Sequence, residues 1–411
     1  MALEDDSPNT VIKPDGSSMA KPMELAGIKW HVNGLGGTLK RGAEDFLVEE
    51  VMPDGALSPI RAENAGAREW DSIKGSGEYL HISLTKKNWE TSLALKQVAN
   101  TLGVGITRLG FAGTKDRVAL TSQRISLWNP DAGIIEKLKS FKSTGLWLAP
   151  IQYSKDRVYL GDLKGNKFTV TLRDAKATEK EALNAVEDLK KGFPNFFGLQ
   201  RFGSTRMNTH VVGLHVLKGD FKAAVIEYIS GGEDETRKRL RELLDENDYQ
   251  EAIKTCPLKW RHELTLLHCL SEKYRDYPGA LKKLSPAVKK LFVHAYQSKV
   301  FNELLSKRLA EGVELKGELP LPGFDTSKQA SKELVGEVQA LLERDGLSFE
   351  SFRIKSLNEL GSPGALRKAW VVPEGVELLS IKKGKEGLDL ALTFSLEKSS
   401  YATVALRPFT A

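Results

Sequence analysis

Residues 388–397 read LDLALTFSLE, and Leu388, Leu390, Leu392, Phe394 and Leu396 fall at every second position without a miss. That is the period of a strand with one face in a core. Similar stretches lie far upstream: around Phe46 and Val48, at 78–86 (EYLHISLTK, with Leu80, Ile82 and Leu84 alternating), at 124–127, and at 167–173 with Phe168, Val170 and Leu172 inward. Between the two sets the texture changes. From about residue 214 the chain reads as charged amphipathic helices over 236–253 and 263–275. A long helix follows, opened by Pro286, ended by Gly312, and carrying Leu291, Ala295, Leu305 and Leu309 on its apolar face. Another helix runs through 330–344. Strands, a helix-rich block and strands again predict an α+β fold in which one domain is interrupted by an insert. The boundaries are a tail over 1–27, an interrupted domain of 28–213 plus 366–411, and an insert over 214–365.

Local signals fill in the frame. Asn88 or Thr91 caps a helix with Leu95, Val98, Ala99 and Leu102 on one face, and Gly192 stops a helix over 179–191. Ala402, Val404 and Leu406 continue the alternation past a Ser399–Ser400 break, which predicts one more strand.

The chain has 411 residues, 41% of them hydrophobic, which suffices for real cores. No run approaches the roughly 18 apolar residues of a membrane span. The acidic start, MALEDDSPNT, has no apolar segment of a secretory leader. Cys256 and Cys269 are too few for a disulfide framework, so a cytoplasmic chain is expected. The net charge is +6, but residues 101–210 hold 18 basic and 10 acidic side chains while the remainder sums to −2. That concentration points to a polyanionic partner, with a merely solvated face as the alternative.

The glycine-rich stretches GLGG (34–37) and GITRLGFAG (105–113) lack the spacing and the following Gly-Lys-Ser/Thr of nucleotide cradles, and read as turns. Cys256, His262, His268 and Cys269 lack the short paired spacings of a zinc site and read as ordinary residues. More informative is GFAGTKDRVALTSQ at 110–123. Asp116 stands in an expected turn with Lys115 and Arg117 beside it, and flanking cations favour the ionised carboxylate that nucleophilic or glycosyl-type chemistry needs. A turn of solvated charges is the alternative. In FPNFFGLQRFG at 193–203, four aromatics surround Asn195, Gln200 and Arg201. Rings that stack and amides that read an edge suit an unstacked base, and a packed corner would use the same residues.

Together these segments resemble the TruD family, the tRNA pseudouridine-13 synthases. The matching stretches run in order over nearly the whole chain: Lys40 followed by Glu44-Asp45-Phe46, GEYLHISLTKKNWET at 77–91, AGTKDRVALTSQ at 112–123, GNKF at 165–168, PNFFGLQRFG at 194–203, HAYQSKVFNELLSKRL at 294–309 and SYATVALR at 400–407. Tyr401 stands where the family often has Phe, and keeps a stacking face. The resemblance implies a catalytic domain of the pseudouridine synthase fold, a mixed sheet with a cleft, interrupted by a helix-rich TRUD insertion domain. It implies that Asp116 is the nucleophile and that Phe46, Asn195, Phe197 and Tyr401 line the uridine pocket. Lys40, Lys115, Arg117, Arg201 and Arg206 are candidate cations that bind RNA or support the site. The partner implied is tRNA, with no metal, no cofactor and no membrane. The rivals are a non-catalytic RNA-binding protein, disfavoured because binding a polyanion gains nothing from a carboxylate in the cleft, a pseudouridine synthase acting on another RNA, and a DNA- or nucleotide-directed enzyme, which the missing phosphate loop weakens.

Overall fold

The computed structural model describes residues 23–30, 32–203 and 206–410. The chain divides into two compact units, one holding residues 32–193 and 371–410, the other residues 23–30 and 194–370. The first is built on an eight-stranded mixed sheet. Its strands are β1 (Phe46–Val51), β2 (Tyr79–Lys87), β3 (Leu109–Phe111), β4 (Leu120–Trp128), β5 (Leu146–Ser154), β6 (Gly165–Ala175), β7 (Glu374–Lys383) and β8 (Leu388–Glu397), in the spatial order β7-β8-β6-β1-β4-β2-β5, with β3 on β4. Among these strands only β1 and β4 pair in parallel. The first and last parts of the chain are thus knitted into one sheet, since β8 pairs with β6 from Leu388 to Glu397.

One junction in this sheet positions the candidate site. β2 pairs with β4 along its whole length. On the other side of β4, β1 covers Leu120–Ser122 and β3 covers Ile125–Leu127. The segment 112–119 leaves β3 and returns into β4 at this junction.

Alternation decides what is buried. Leu80, Ile82 and Leu84 are wholly buried and pack with Leu95, Val98, Ala99 and Leu102 of the helix Thr91–Leu102 and with Ile134 and Leu138 of the helix Ala132–Lys139. Each such side chain contributes about 1.5–3 kcal/mol of burial. On β1, β6 and β8 the inward rings form a ladder. Phe168 stacks on its cross-strand partner Phe394 at 5.4 Å, and Phe46 meets Phe168 edge-on at 5.8 Å.

The second unit is helical, with helices at Thr209–Leu217, Phe221–Ser230, Glu235–Asp245, Tyr249–Thr255, Arg261–Glu272, Tyr277–Lys283, Pro286–Ala310 and Lys332–Arg344 among its described residues, and a small ribbon pairing Glu318–Leu321 with Ala365–Lys368. Gly213 lets the first of these approach the long helix, because a Cβ there would lie 2.1 Å from the Phe292 carbonyl.

Several expectations are corrected. Residues 402–406 are not a strand: Ala402–Ala405 and Arg407–Thr410 are short helices, and the Leu406 N–H donates to the Ala402 carbonyl at 2.9 Å, a helical bond. Neither Asn88 nor Thr91 caps its helix. Glu90 holds that position and Asn88 lies in a turn at φ +59°. The helix expected over 236–253 is two helices, broken where Asn247 adopts φ +59° and Asp248 caps the second. Leu291 is 38% exposed rather than on the buried face. Of the tail expected over 1–27, residues 1–22 lie outside the described residues, while Ala26 is wholly buried and its carbonyl accepts from Asn302. PNFFGLQRFG lies in the second compact unit, with the helices. Among the described residues no helix is long and apolar enough to cross a membrane.

Candidate active site

Asp116 lies at the sheet junction, and its turn is tied down on several sides. The Gly113 carbonyl accepts from Gln123 Nε2 at 3.0 Å, the Lys115 N–H donates to Thr91 Oγ1 at 3.0 Å, and Ala119 N–H donates to the Arg117 carbonyl at 3.0 Å. The ammonium of Lys86, a residue with no exposed surface, donates to the carbonyls of Asp116 (2.7 Å), Lys115 (3.3 Å) and Trp89 (2.7 Å).

Lys115 and Arg117, the neighbours in sequence, diverge. Arg117 is exposed. Lys115 turns inward, where its Nζ lies 2.7 Å from Glu50 Oε2 and 2.7 Å from Asn166 Oδ1, and both members of the ion pair are at most 3% exposed. Glu50 Oε1 accepts from the Arg124 N–H at 3.0 Å. This places Lys115 as a support that locks β1, β4 and β6 beneath the turn, and turns its charge away from any phosphate in solvent.

The cation that meets Asp116 is Lys40. Its Nζ stands 3.2 Å from Asp116 Oδ1 and 4.0 Å above the centroid of the Phe46 ring. The side chains are 18% and 26% exposed, so the pair is shielded yet open to a substrate. Lys40 adopts φ +58°, and the nearby Thr38 exchanges both backbone hydrogen bonds with Arg173. Phe46 itself is wholly buried and serves as the floor of the pair. Tyr401 is half-buried at the start of the helix Ala402–Ala405, where its carbonyl accepts from the Val404 and Ala405 N–H groups.

Asn195, Phe197, Arg201 and Arg206 belong to the second unit. There the segment forms a packed corner. Asn195 is 4% exposed; its Nδ2 donates to the Lys368 carbonyl at 2.9 Å and its Oδ1 accepts from Arg367 Nη2 at 2.8 Å. The Phe197 ring packs between the Arg367 guanidinium at 4.0 Å, that of Arg201 at 5.4 Å, and Phe301 edge-on at 5.5 Å. Asn302 exchanges two hydrogen bonds with the Phe197 backbone. Arg206 Nη1 donates to the Tyr228 carbonyl at 2.5 Å, and Nη2 lies 3.5 Å from Glu263.

Sequence reasoning missed Lys86, Glu50 and Arg367. A signal existed for the first two. The register that faces Leu80, Ile82 and Leu84 inward continues to Lys86, and that of Phe46 and Val48 continues to Glu50, so each strand carries a charge at a core-facing position. Arg367 lies 172 residues from Asn195 and left no local trace.

Comparison with known proteins places this geometry. The family model of tRNA pseudouridine synthase D (TruD) matches residues 25–320 and 317–409. The chain is 33% identical over 387 residues to a protein of Methanocaldococcus jannaschii described as a probable tRNA pseudouridine synthase D 1, covering 91% of this chain and 95% of that one. It is 31% identical to the Methanosarcina acetivorans protein described as a probable tRNA pseudouridine synthase D, over 95% of this chain and 98% of that one. The crystal structure of the Methanosarcina mazei protein described as a tRNA pseudouridine synthase D superposes with a TM-score of 0.71 at 29% identity, covering 95% and 98% of the two chains. The fold and these relatives are therefore those of a pseudouridine synthase, an isomerase. Within that class the chain belongs to the TruD family.

Proposed function

We propose that this enzyme isomerises uridine 13 of tRNA to pseudouridine, with the Asp116 carboxylate as the group that acts on the nucleotide. The observation that supports it is the Lys40–Asp116 pair over the Phe46 ring, a carboxylate on a turn tied down by hydrogen bonds and partly open to solvent. The reaction breaks the N1–C1′ bond, turns the uracil and joins C5 to C1′; C5 loses a proton and N1 gains one. The carboxylate can attack C1′, take the C2′ proton, or add to C6, and each route runs through Asp116. Lys40, 3.2 Å from Oδ1, aims the carboxylate.

The detached uracil must stay in place while it turns. Tyr401 offers a half-buried ring for this, and stacking contributes roughly 1–3 kcal/mol per base–aromatic contact. Extruding the nucleotide costs a few kcal/mol, which phosphate contacts from the basic segment offset. Incubating the protein with unmodified tRNA transcripts and mapping pseudouridine by carbodiimide-block primer extension tests the reading. A stop at position 13 supports it; a stop elsewhere, or only in another RNA, overturns the site assignment.

A further inference from the structure

The Lys86 side chain touches the backbone on both sides of Asp116. The carbonyl of Lys115 belongs to the peptide unit before the Asp116 Cα, and the carbonyl of Asp116 to the unit after it. The Lys86 ammonium donates to both, at 3.3 and 2.7 Å, and its third N–H reaches the Trp89 carbonyl at 2.7 Å. Holding two successive peptide planes fixes φ and ψ of the residue between them and so fixes its Cα–Cβ direction. What then remains free is the side-chain rotamer, which the Lys40 contact takes up.

A buried ammonium bonded to three carbonyls, rather than to a carboxylate, is costly, because no directly bonded opposite charge offsets its desolvation. A neutral, straight-chain residue such as Met would fill the same space without that cost. The charge therefore calls for a role that an apolar side chain cannot perform. We propose that Lys86 is a positioning residue, whose ammonium clamps both peptide units bracketing Asp116 and so aims the carboxylate at the nucleotide. This rests on the reading of Asp116 given above.

The clamp is also titratable. Burial pushes the Lys86 ammonium down to about 8; the carboxylates of Asp116 and Glu90 oppose this, and the ammonium groups of Lys115 and Lys40 add to it. A neutral amine has two N–H groups for three carbonyls, so one partner is released as the pH rises past that value. The turn loosens, and the carboxylate loses its aim.

Three variants test this in single-turnover assays, with Kd for tRNA and a melting curve measured alongside. Lys86→Met should lower the isomerisation rate on the order of 10²-fold, the scale of a misaimed catalytic group, with Kd changed less than about twofold. The wild-type rate should fall above about pH 8, while the residual rate of Lys86→Met should lack that limb. Titration of uracil in the RNA is common to both enzymes and cancels in their ratio. γ-Thialysine installed at position 86 keeps the length and charge of lysine but has a more acidic amine. It should restore the rate at neutral pH and move the limb to lower pH, which a purely structural role would not do. A folded Lys86→Met with the wild-type rate and profile, or a thialysine enzyme with an unmoved limb, overturns the inference; the second result remains decisive if the Met variant unfolds. Asp116→Asn is run in parallel. If it stays active, the reading of Asp116 fails; if it is dead while Lys86→Met is normal, only the positioning role fails.

Discussion

Lys115 and Glu50 form a buried ion pair behind the Asp116 turn, 2.7 Å apart and at most 3% exposed. Removing one partner of such a pair leaves an uncompensated charge and typically costs about 3–5 kcal/mol. Lys115→Met and Glu50→Gln should therefore each lower the denaturant midpoint strongly. Because the Lys115 ammonium faces Glu50 and Asn166, tRNA binding by folded Lys115→Met should keep the wild-type salt slope. A stable variant with a shallower slope would place this ammonium on a phosphate instead.

Lys40 predicts the opposite pattern. Lys40 touches the Asp116 carboxylate and is partly open. Lys40→Met should leave the melting temperature within a few degrees and lower the single-turnover rate about 10–100-fold, with Lys40→Arg recovering part of the loss. A fall in stability with an unchanged rate would make the pair structural.

Binding should depend on the cations that face solvent. Arg117 and Lys155 are exposed within the basic segment, whereas Arg157 Nη2 donates to the Thr107 and Leu109 carbonyls. Arg117→Ala and Lys155→Ala should each flatten the plot of log affinity against log salt, by about 0.7–0.9 for every phosphate that the variant no longer neutralises. Unchanged slopes in both would mean this face does not meet the RNA.

Acid stability has a marker in the second unit. His210, 4% exposed against the Phe202 ring, is pushed down to about 4 by burial, with Lys299 adding to the shift and Asp345 opposing it. The unfolded chain binds this proton near 6.5, so between about pH 6.5 and 4 the unfolded state holds more protons. Stability present above 6.5 is lost as the pH falls through that window, by up to about 3 kcal/mol. His210→Leu should remove this part of the acid-side slope in urea titrations at about pH 7 and 4.5. An equal loss in both proteins would assign the slope to other groups.

How far the sequence could be read follows from how local each signal was. The ten-residue alternation of β8 and the charged helices from 214 onward carry the α+β division, because each repeats its period several times. Three alternating residues at 402–406 could not distinguish a strand from two short helical turns, since Ala402 and Leu406 also share a helical face. Asp116 stood out in sequence, and Lys40 was among its candidate partners. The direction of Lys115 was not legible, because the carboxylate that draws it inward lies far upstream at Glu50. The Asn195–Arg367 contact was beyond reach for the same reason. Lys86 and Glu50 could have been found by extending the strand register two residues and asking why a charge sits there.

The central claim is that the Asp116 carboxylate performs the chemistry, and Asp116→Asn tests it most directly. The amide keeps the size of the side chain and can still hydrogen-bond, so folding and tRNA binding should survive, but it is neither a competent nucleophile nor a base. In a single-turnover assay with enzyme in excess over tRNA, product should fall below detection, once mass spectrometry has excluded deamidation back to Asp. Conversion at more than about a hundredth of the wild-type rate, a smaller loss than the usual contribution of a single acid–base group, would contradict the account and assign the chemistry to another residue.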